Sequence, residues 1–252
     1  MAQNVSATID VLMPVFGKAG TIRPTLERVI RTFDEDGRHS FRFVVILDGP
    51  DESCKNQIQT ISDRRISLIE LPTNSGKGAA LRAACSDLKG DFAVFMDADL
   101  DIDPSAALDG LTIMESYGSS TLACVYGSKV HPNSSVIYPL RRRVLSSIFR
   151  RYVRFLLKLD VEDTQTGIKV LRTSYLSKVI DRCSERRFLF DVELLTLLAW
   201  SGGSFVSTPV KIDYAFDSSI GLKDIAVMGA DTMRLAIRMR TRRRKLMEAI
   251  HG

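Results

Sequence analysis

The stretch Phe92-Ala93-Val94-Phe95-Met96-Asp97-Ala98-Asp99-Leu100-Asp101-Ile102-Asp103-Pro104 decides how the rest of the chain is read. Five apolar residues in a row predict a short buried strand, and the carboxylates begin where that strand leaves its sheet. If the backbone stays extended past Met96, the two-residue period puts Asp97, Asp99 and Asp101 on one side. Three like charges that close repel unless a cation sits among them. All-oxygen ligation selects a hard ion such as Mg²⁺ or Mn²⁺, which commonly accompanies a phosphorylated substrate. An EF-hand loop starting at Asp97 fails, because Ile102 stands where glycine is needed and Leu108 where the bidentate glutamate is needed. Asp103 precedes Pro104 and a predicted helix over 105–117, so it reads as a helix cap followed by proline at the first helical position.

Working outward, the same grammar repeats. Residues 7–15 predict a first strand stopped by Pro14 and the Gly17-Lys18-Ala19-Gly20 turn, followed by a helix from Thr21 with Ile22, Leu26, Val29, Ile30 and Phe33 on one face. Residues 41–47 predict a second strand ending at Asp48-Gly49-Pro50-Asp51, then a helix over 52–61 and a third strand over 66–71. Three strand–helix alternations before the acidic stretch indicate a doubly wound α/β sheet, which binds ligands at the carboxyl ends of its strands. Gly76-Lys77-Gly78 at a predicted helix start suits an anion, since small residues admit the backbone and the helix N-terminus favours negative charge. It is neither a Walker loop, which needs Ser or Thr at Gly78, nor a Rossmann fingerprint, which needs glycine at Leu81. A helix over 105–117 and a strand over 121–126 follow, closed by Gly127-Ser128-Lys129.

Composition limits the function classes. At 252 residues the chain can bury a full core and fits one large α/β domain, or one domain plus an appendage. No run approaches a membrane span and the first eight residues lack signal-peptide architecture, so the expectation is a cytoplasmic protein. Cys54, Cys85, Cys124 and Cys183 are scattered, which argues for reduced thiols and against zinc; His39, His131 and His251 form no cluster, so a histidine metal site and a Ser-His-Asp triad lack support. The net charge of +5 is segregated: residues 140–158 and 234–245 each hold seven Lys/Arg and no acid. With those fourteen set aside from the 35, 21 basic residues face 30 acidic ones. Localised positive charge implies an anionic partner on one face.

The order of a strand ending in proline, a strand ending in Asp-Gly, an Asn74-x-Gly76-Lys77-Gly78 helix start, Asp97-Ala98-Asp99 and Gly127-Ser128-Lys129 resembles the family 2 inverting glycosyltransferases of the GT-A fold. It is most similar to the branch with dolichol-phosphate mannose and glucose synthases and bacterial polyprenyl-phosphate glycosyltransferases. Asp163-Thr164-Gln165-Thr166-Gly167-Ile168-Lys169 and Phe190-Asp191-Val192-Glu193-Leu194-Leu195 extend the resemblance. It implies a mixed, mostly parallel sheet flanked by helices and metal-dependent hexose transfer from a nucleotide diphosphate sugar, of GDP-mannose or UDP-glucose type, to a polyprenyl phosphate. Pro14, Phe16, Asp48, Gly76, Lys77, Gly78, Asp97 and Ala98 would hold the donor. Asp97 and Asp99, with Asp101, would hold Mg²⁺ or Mn²⁺, and Lys129, Arg141, Arg142, Ser146, Gln165 and Asp191 would serve the acceptor. Lys129 and Arg142 would hold its phosphate. The chain departs from the family at Gly17-Lys18, where Asn-Glu is usual, at Leu47, where an acid facing the nucleotide is usual, and at Asp101, where Gln is frequent. Two other readings stay open: transfer to a sugar or small-molecule hydroxyl, and a non-catalytic sugar-nucleotide-binding protein.

The second half supplies the acceptor side. Leu145, Ile148, Phe149, Tyr152, Phe155, Leu156 and Leu159 recur at helical spacing opposite Arg143, Arg150, Arg154 and Lys158, an amphipathic basic helix suited to an anionic membrane surface. Helices are predicted over 173–180 and 190–200; Asp191 and Glu193, two apart, do not share a face. A strand over 204–214 leads to a loop over 215–221, where the resemblance makes Ser218, Ser219 and Lys223 phosphate candidates. Residues 222–250 predict a long basic helix. No nucleic-acid-binding signature accompanies it, so it is read as a membrane-surface or partner contact. The division expected is a catalytic domain over 1–221 and a basic helix over 222–252, peripheral at the cytoplasmic face of a membrane, alone or docked on a membrane subunit.

Overall fold

A computed structural model describes residues 7–118, 121–136, 140–212 and 222–251, without the side chains of 140–145, 222–226 and 251. Its elements in chain order are β1 (Thr8–Val15), α1 (Ile22–Asp34), β2 (Ser40–Leu47), α2 (Glu52–Gln59), β3 (Ile66–Glu70), α3 (Lys77–Cys85), β4 (Phe92–Met96), α4 (Ser105–Ser116) and β5 (Leu122–Ser128). There follow β6 (Ser135–Val136), α5 (Leu140–Leu157), β7 (Ile168–Arg172), α6 (Thr173–Val179), α7 (Phe190–Trp200), β8 (Ser204–Pro209), β9 (Lys211–Ile212) and α8 (Leu222–His251). The main sheet runs β3-β2-β1-β4-β7-β5-β8, with β7 antiparallel to both neighbours and the other pairings parallel. This is the mixed, mostly parallel α/β sheet expected.

Side-chain alternation along β1 builds two cores. Ile9, Val11 and Met13 face α1 and α4 through Leu26, Phe33 and Leu111, while Leu12 faces α3 and α7 through Leu81 and Leu195. A strand buried on both faces must be apolar throughout, which is why residues 9–13 carry a single exception. That exception, Asp10, is fully buried and accepts from the amides of Lys89 and Gly90 and from Arg42 Nε at 2.7 Å. All four cysteines are free and buried.

Three expectations need correction. The strand β7 was not foreseen from sequence, because a lysine interrupts its short apolar run. The strand expected over 204–214 breaks at Val210 into β8 and β9, the latter pairing with β6 in a two-stranded sheet; residues 213 and 214 lie outside the described residues. The faces of α5 are also not as expected. Val153, Leu156 and Leu157 face the core, whereas Ile148 and Phe155 are 58% and 80% exposed. At 100° per residue those two project roughly 140° and 160° away from Val153, too far round to be covered. The C-terminal helix α8 packs Leu235, Ala236 and Met239 into the same core as α7.

Candidate active site

The carboxyl ends of β1, β2 and β4 converge on one edge of the sheet, where β1 has β2 on one side and β4 on the other. After β4 the backbone turns instead of staying extended: residues 98–99 form a turn, and Leu100 adopts a left-handed φ of 50°. The two-residue alternation expected for the acids therefore does not hold. Asp97, Asp99 and Asp101 nevertheless line one cavity of 100 Å³ with Lys129, Gln165 and Gly167. Among the described residues no three acidic, histidine or cysteine side chains are drawn together as a ready-made metal cluster. Asp103 is the helix cap expected, its carboxylate accepting from the Ser105 amide at 2.9 Å and pairing with Arg28 at 2.6 Å.

A second cavity of 240 Å³ adjoins the first, sharing Asp97 and Asp99, and is lined also by Pro14, Phe16, Lys18, Asp48, Lys77 and Ala98. Asp48 is buried and shapes its wall, each carboxylate oxygen accepting from one amide: Ser75 at 2.6 Å and Gly76 at 2.8 Å. Gly76 has φ +94°, and a Cβ on it would lie 2.4 Å from the Arg186 carbonyl oxygen. A Cβ on Gly78 would lie 2.6 Å from the Phe190 ring. Both positions therefore require glycine, and together they seat Lys77 at the start of α3.

Lys77 Nζ lies 2.6 Å from Asp97 Oδ1 and 3.6 Å from Asp191 Oδ2. Burial works against the ammonium, but Asp191, Asp97 and Asp99 outweigh it and hold the Lys77 pKa above its ordinary value. Asp191 is itself buried, and burial opposes its charge. Lys169, 2.8 Å away and 1% exposed, joins Lys77 in keeping its carboxyl below the usual range. Lys169 also donates to the Thr166 carbonyl at 2.7 Å. Asp101 is pushed up to about 6 by burial and by the charges of Asp99 and Asp97, with Lys18 and Lys129 pulling the other way. Asp99 forms no ion pair among the described residues. An all-oxygen set in which Asp97 and Asp99 disfavour the charge on Asp101 fits a divalent cation better than it fits water.

On the other side of Asp97, Gly167 admits the carboxylate: a Cβ there would lie 2.6 Å from Asp97 Oδ2. Lys129 donates its amide to Asp163 Oδ2 at 3.1 Å and holds its ammonium 3.9 Å from the same oxygen. Gln165 Nε2 is buried without a partner among the described residues. The structure thus gathers Pro14, Phe16, Asp48, Lys77, Asp97, Ala98, Asp99, Asp101, Lys129 and Gln165 around the two cavities, with Asp191 beneath Lys77. Ser146 lines neither cavity. The side chains of Arg141, Arg142 and Lys223, and residues Ser218 and Ser219, lie outside the described residues. Sequence reasoning gave no role to Lys18 or Lys169. A lone lysine inside Ile168-Lys169-Val170-Leu171 was a usable signal, because a charge in a buried strand needs a partner.

Residues 10–180 match the family described as Glycosyl transferase family 2. Among curated proteins, the glycosyltransferase AglD of Haloferax volcanii is 26% identical over 255 residues, covering 96% of this chain and 40% of its own length. Dolichyl-phosphate beta-glucosyltransferase ALG5A of Trichomonas vaginalis is 21% identical, covering 98% of this chain and 78% of its own. The chain thus spans well under half of the first relative and about four fifths of the second. Among solved structures, the Mycobacterium tuberculosis glucosyl-3-phosphoglycerate synthase superposes with a TM-score of 0.66 at 15% identity, over 93% of this chain and 80% of that one. The same enzyme has been solved in complex with Mn²⁺ and UDP-glucose. At that identity the likeness establishes the fold, and the family match spanning most of the chain establishes its class: this protein is a glycosyltransferase belonging to family 2.

Proposed function

We propose that this chain transfers a hexose, with inversion, from a nucleoside diphosphate sugar to a polyprenyl phosphate, with the help of a divalent cation. The observation that carries the reading is the meeting of two cavities at Asp97 and Asp99, with Lys18 and Lys77 on one side and Lys129 on the other. The larger suits the donor and the smaller the reacting phosphate. A donor of UDP-glucose type is favoured, since ALG5A is named a glucosyltransferase and the mycobacterial enzyme was solved with UDP-glucose.

Charge around the site explains why a cation belongs in it. Among the described side chains, Asp48, Asp97, Asp99, Asp101, Asp163 and Asp191 oppose Lys18, Lys77, Lys129 and Lys169, so this part of the site is short of positive charge before an anionic diphosphate enters. Asp97 and Asp99, with Asp101, would hold Mg²⁺ or Mn²⁺. Such an ion, when bound, neutralises charge building on the diphosphate leaving group. Lys77 adds a fixed ammonium at the same place, oriented by Asp97 and Asp191. Gly76 and Gly78 let Arg186 and Phe190 pack against the first turn of α3 and so seat Lys77 at the pocket, which Pro14, Phe16, Asp48 and Ala98 wall. On the acceptor side, Lys129 would hold the lipid phosphate with Gln165 beside it, and the family resemblance adds Arg142, Arg141 and Ser146 to that role. A phosphate monoester with a second pKa of ~6 is already ionised near neutral pH, so it attacks the anomeric carbon without a general base.

Residues 1–221 form the catalytic part in this reading, and 222–252 a basic helix toward a membrane surface. No described helix is long and apolar enough to cross a membrane. Ile148 and Phe155, exposed on α5 among Arg150, Arg151 and Arg154, suit the headgroup region of an anionic bilayer at the cytoplasmic face. The test is nucleoside diphosphate release from a panel of nucleotide sugars, with polyprenyl phosphate and Mg²⁺ or Mn²⁺. Turnover with one donor, abolished in Asp99→Ala, is expected. Absence of turnover with every donor, or identical rates in wild type and Asp99→Ala, overturns the proposal.

A further inference from the structure

The basic run 234–245 reads in sequence as a membrane-surface or partner contact, yet the guanidinium of Arg238 turns toward two carboxylates of its own chain. Arg238 Nη2 lies 2.6 Å from Glu185 Oε1 and 3.3 Å from Glu193 Oε1. Glu193 is 4% exposed and already fully engaged: its Oε2 accepts from the amides of Ser184 at 2.8 Å and Glu185 at 2.6 Å, and its Oε1 from the Ser184 hydroxyl at 2.9 Å. Arg238 is its ion-pair partner among the described residues. A buried carboxylate left without a counter-charge is strongly disfavoured, so removing Arg238 strains the segment that Glu193 organises.

That segment continues directly into the donor pocket. The Arg186 carbonyl accepts from the Gly78 amide at 2.8 Å, and the same oxygen occupies the space in front of Gly76. One residue further, Arg187 Cγ also crowds the position of a Gly76 Cβ, at 2.8 Å. Residues 184–187 are therefore the mould against which the first turn of α3 is cast. Lys77 lies in that turn, between Gly76 and Gly78, and its 2.6 Å contact with Asp97 tolerates little displacement.

We propose that Arg238 is a positioning residue for the donor site: through Glu185 and Glu193 it fixes residues 184–187, which seat Gly76, Lys77 and Gly78 for the nucleoside diphosphate. The C-terminal helix is thus part of the donor-binding machinery and carries more than a surface charge. The inference rests on the donor-site reading above.

The experiment is calorimetric titration of UDP, with Mn²⁺ present, into the full chain and its variants. Arg238→Met weakens UDP binding about tenfold, and Arg238→Lys restores most of it by returning a cation to the carboxylates. Arg234→Met, which removes a 78% exposed arginine paired only locally with Asp231, leaves binding unchanged. Equal affinity in wild type and Arg238→Met overturns the inference, as does an equal loss in Arg234→Met, which would make the effect one of net charge. Should Arg238→Met fail to fold, Glu185→Gln weakens the 2.6 Å contact and leaves Glu193 intact; a smaller loss in the same direction is expected, and unchanged affinity overturns the inference. Folded wild type that binds no UDP overturns the donor-site reading itself and the inference with it.

Discussion

Replacing Gly76 with alanine sets a methyl carbon 2.4 Å from the Arg186 carbonyl oxygen and 2.8 Å from Arg187 Cγ. The backbone at Gly76 has φ +94° and ψ +156°, a region open almost solely to glycine, and holding another residue there costs about 1–3 kcal/mol. Overpacking adds a similar amount, about 1–3 kcal/mol, because the nearest atom is backbone and cannot rotate away. Relief comes by opening the turn, which breaks the bonds from Gly76 N to Asp48 and from Gly78 N to Arg186 O. Those two bonds are worth roughly 2–4 kcal/mol together, one of them charge-assisted, so the expected loss of stability is about 2–4 kcal/mol. Urea denaturation measures that loss, and calorimetry measures UDP affinity, which should fall at least about tenfold as Lys77 shifts. Gly17→Ala is the control: its φ is +63° with no atom within 4 Å of the added Cβ, so only a backbone cost of about 1–2 kcal/mol applies. Stability within about 0.5 kcal/mol of wild type, together with unchanged UDP affinity in Gly76→Ala, refutes the argument that this turn is moulded by residues 184–187.

Lys18→Glu reverses a charge in the donor cavity next to Asp101, and should weaken UDP binding about tenfold or more, read by the same titration. Ile148→Ser with Phe155→Ser removes the exposed apolar pair of α5 and should reduce co-sedimentation with anionic vesicles, while stability stays within about 0.5 kcal/mol of wild type. Asp10→Ala strips a fully buried carboxylate from Arg42 and from two amides, and should cost about 3–5 kcal/mol in urea denaturation. Because Asp10 sits at the opposite end of β1 from Pro14, the folded fraction should bind UDP as wild type does.

The strands from β1 to β5 were legible because each is an apolar run closed by proline, glycine or an acid, and such punctuation is local. The strand β7 was not, since Lys169 breaks its pattern and only the partner Asp191, 22 positions later, accounts for that charge. The acidic stretch does line a cavity, but not in the shape expected: Leu100 turns left-handed, so the acids reach it by a turn instead of by strand alternation. The helix α5 was predicted in place, but burial of Val153 rather than Phe155 is decided by the elements it packs on, which sequence spacing does not contain. Arg238 shows the same limit in charge. Within a run of seven basic residues nothing local marks the one whose guanidinium turns toward Glu185 and Glu193. Lys77, Asp97 and Lys129, which line the cavities, stand out in sequence because glycine, alternating acids and a strand end frame them.

The account turns on a phosphate as the nucleophile, which attacks without needing a general base. The most direct measurement follows labelled glucose from UDP-glucose into polyprenyl phosphate and, in parallel, into the matching polyprenol, with Mn²⁺ present. Label in the phosphate-bearing lipid alone is the predicted result. Equal transfer to polyprenol, or label in neither lipid while the folded protein binds UDP, would contradict it.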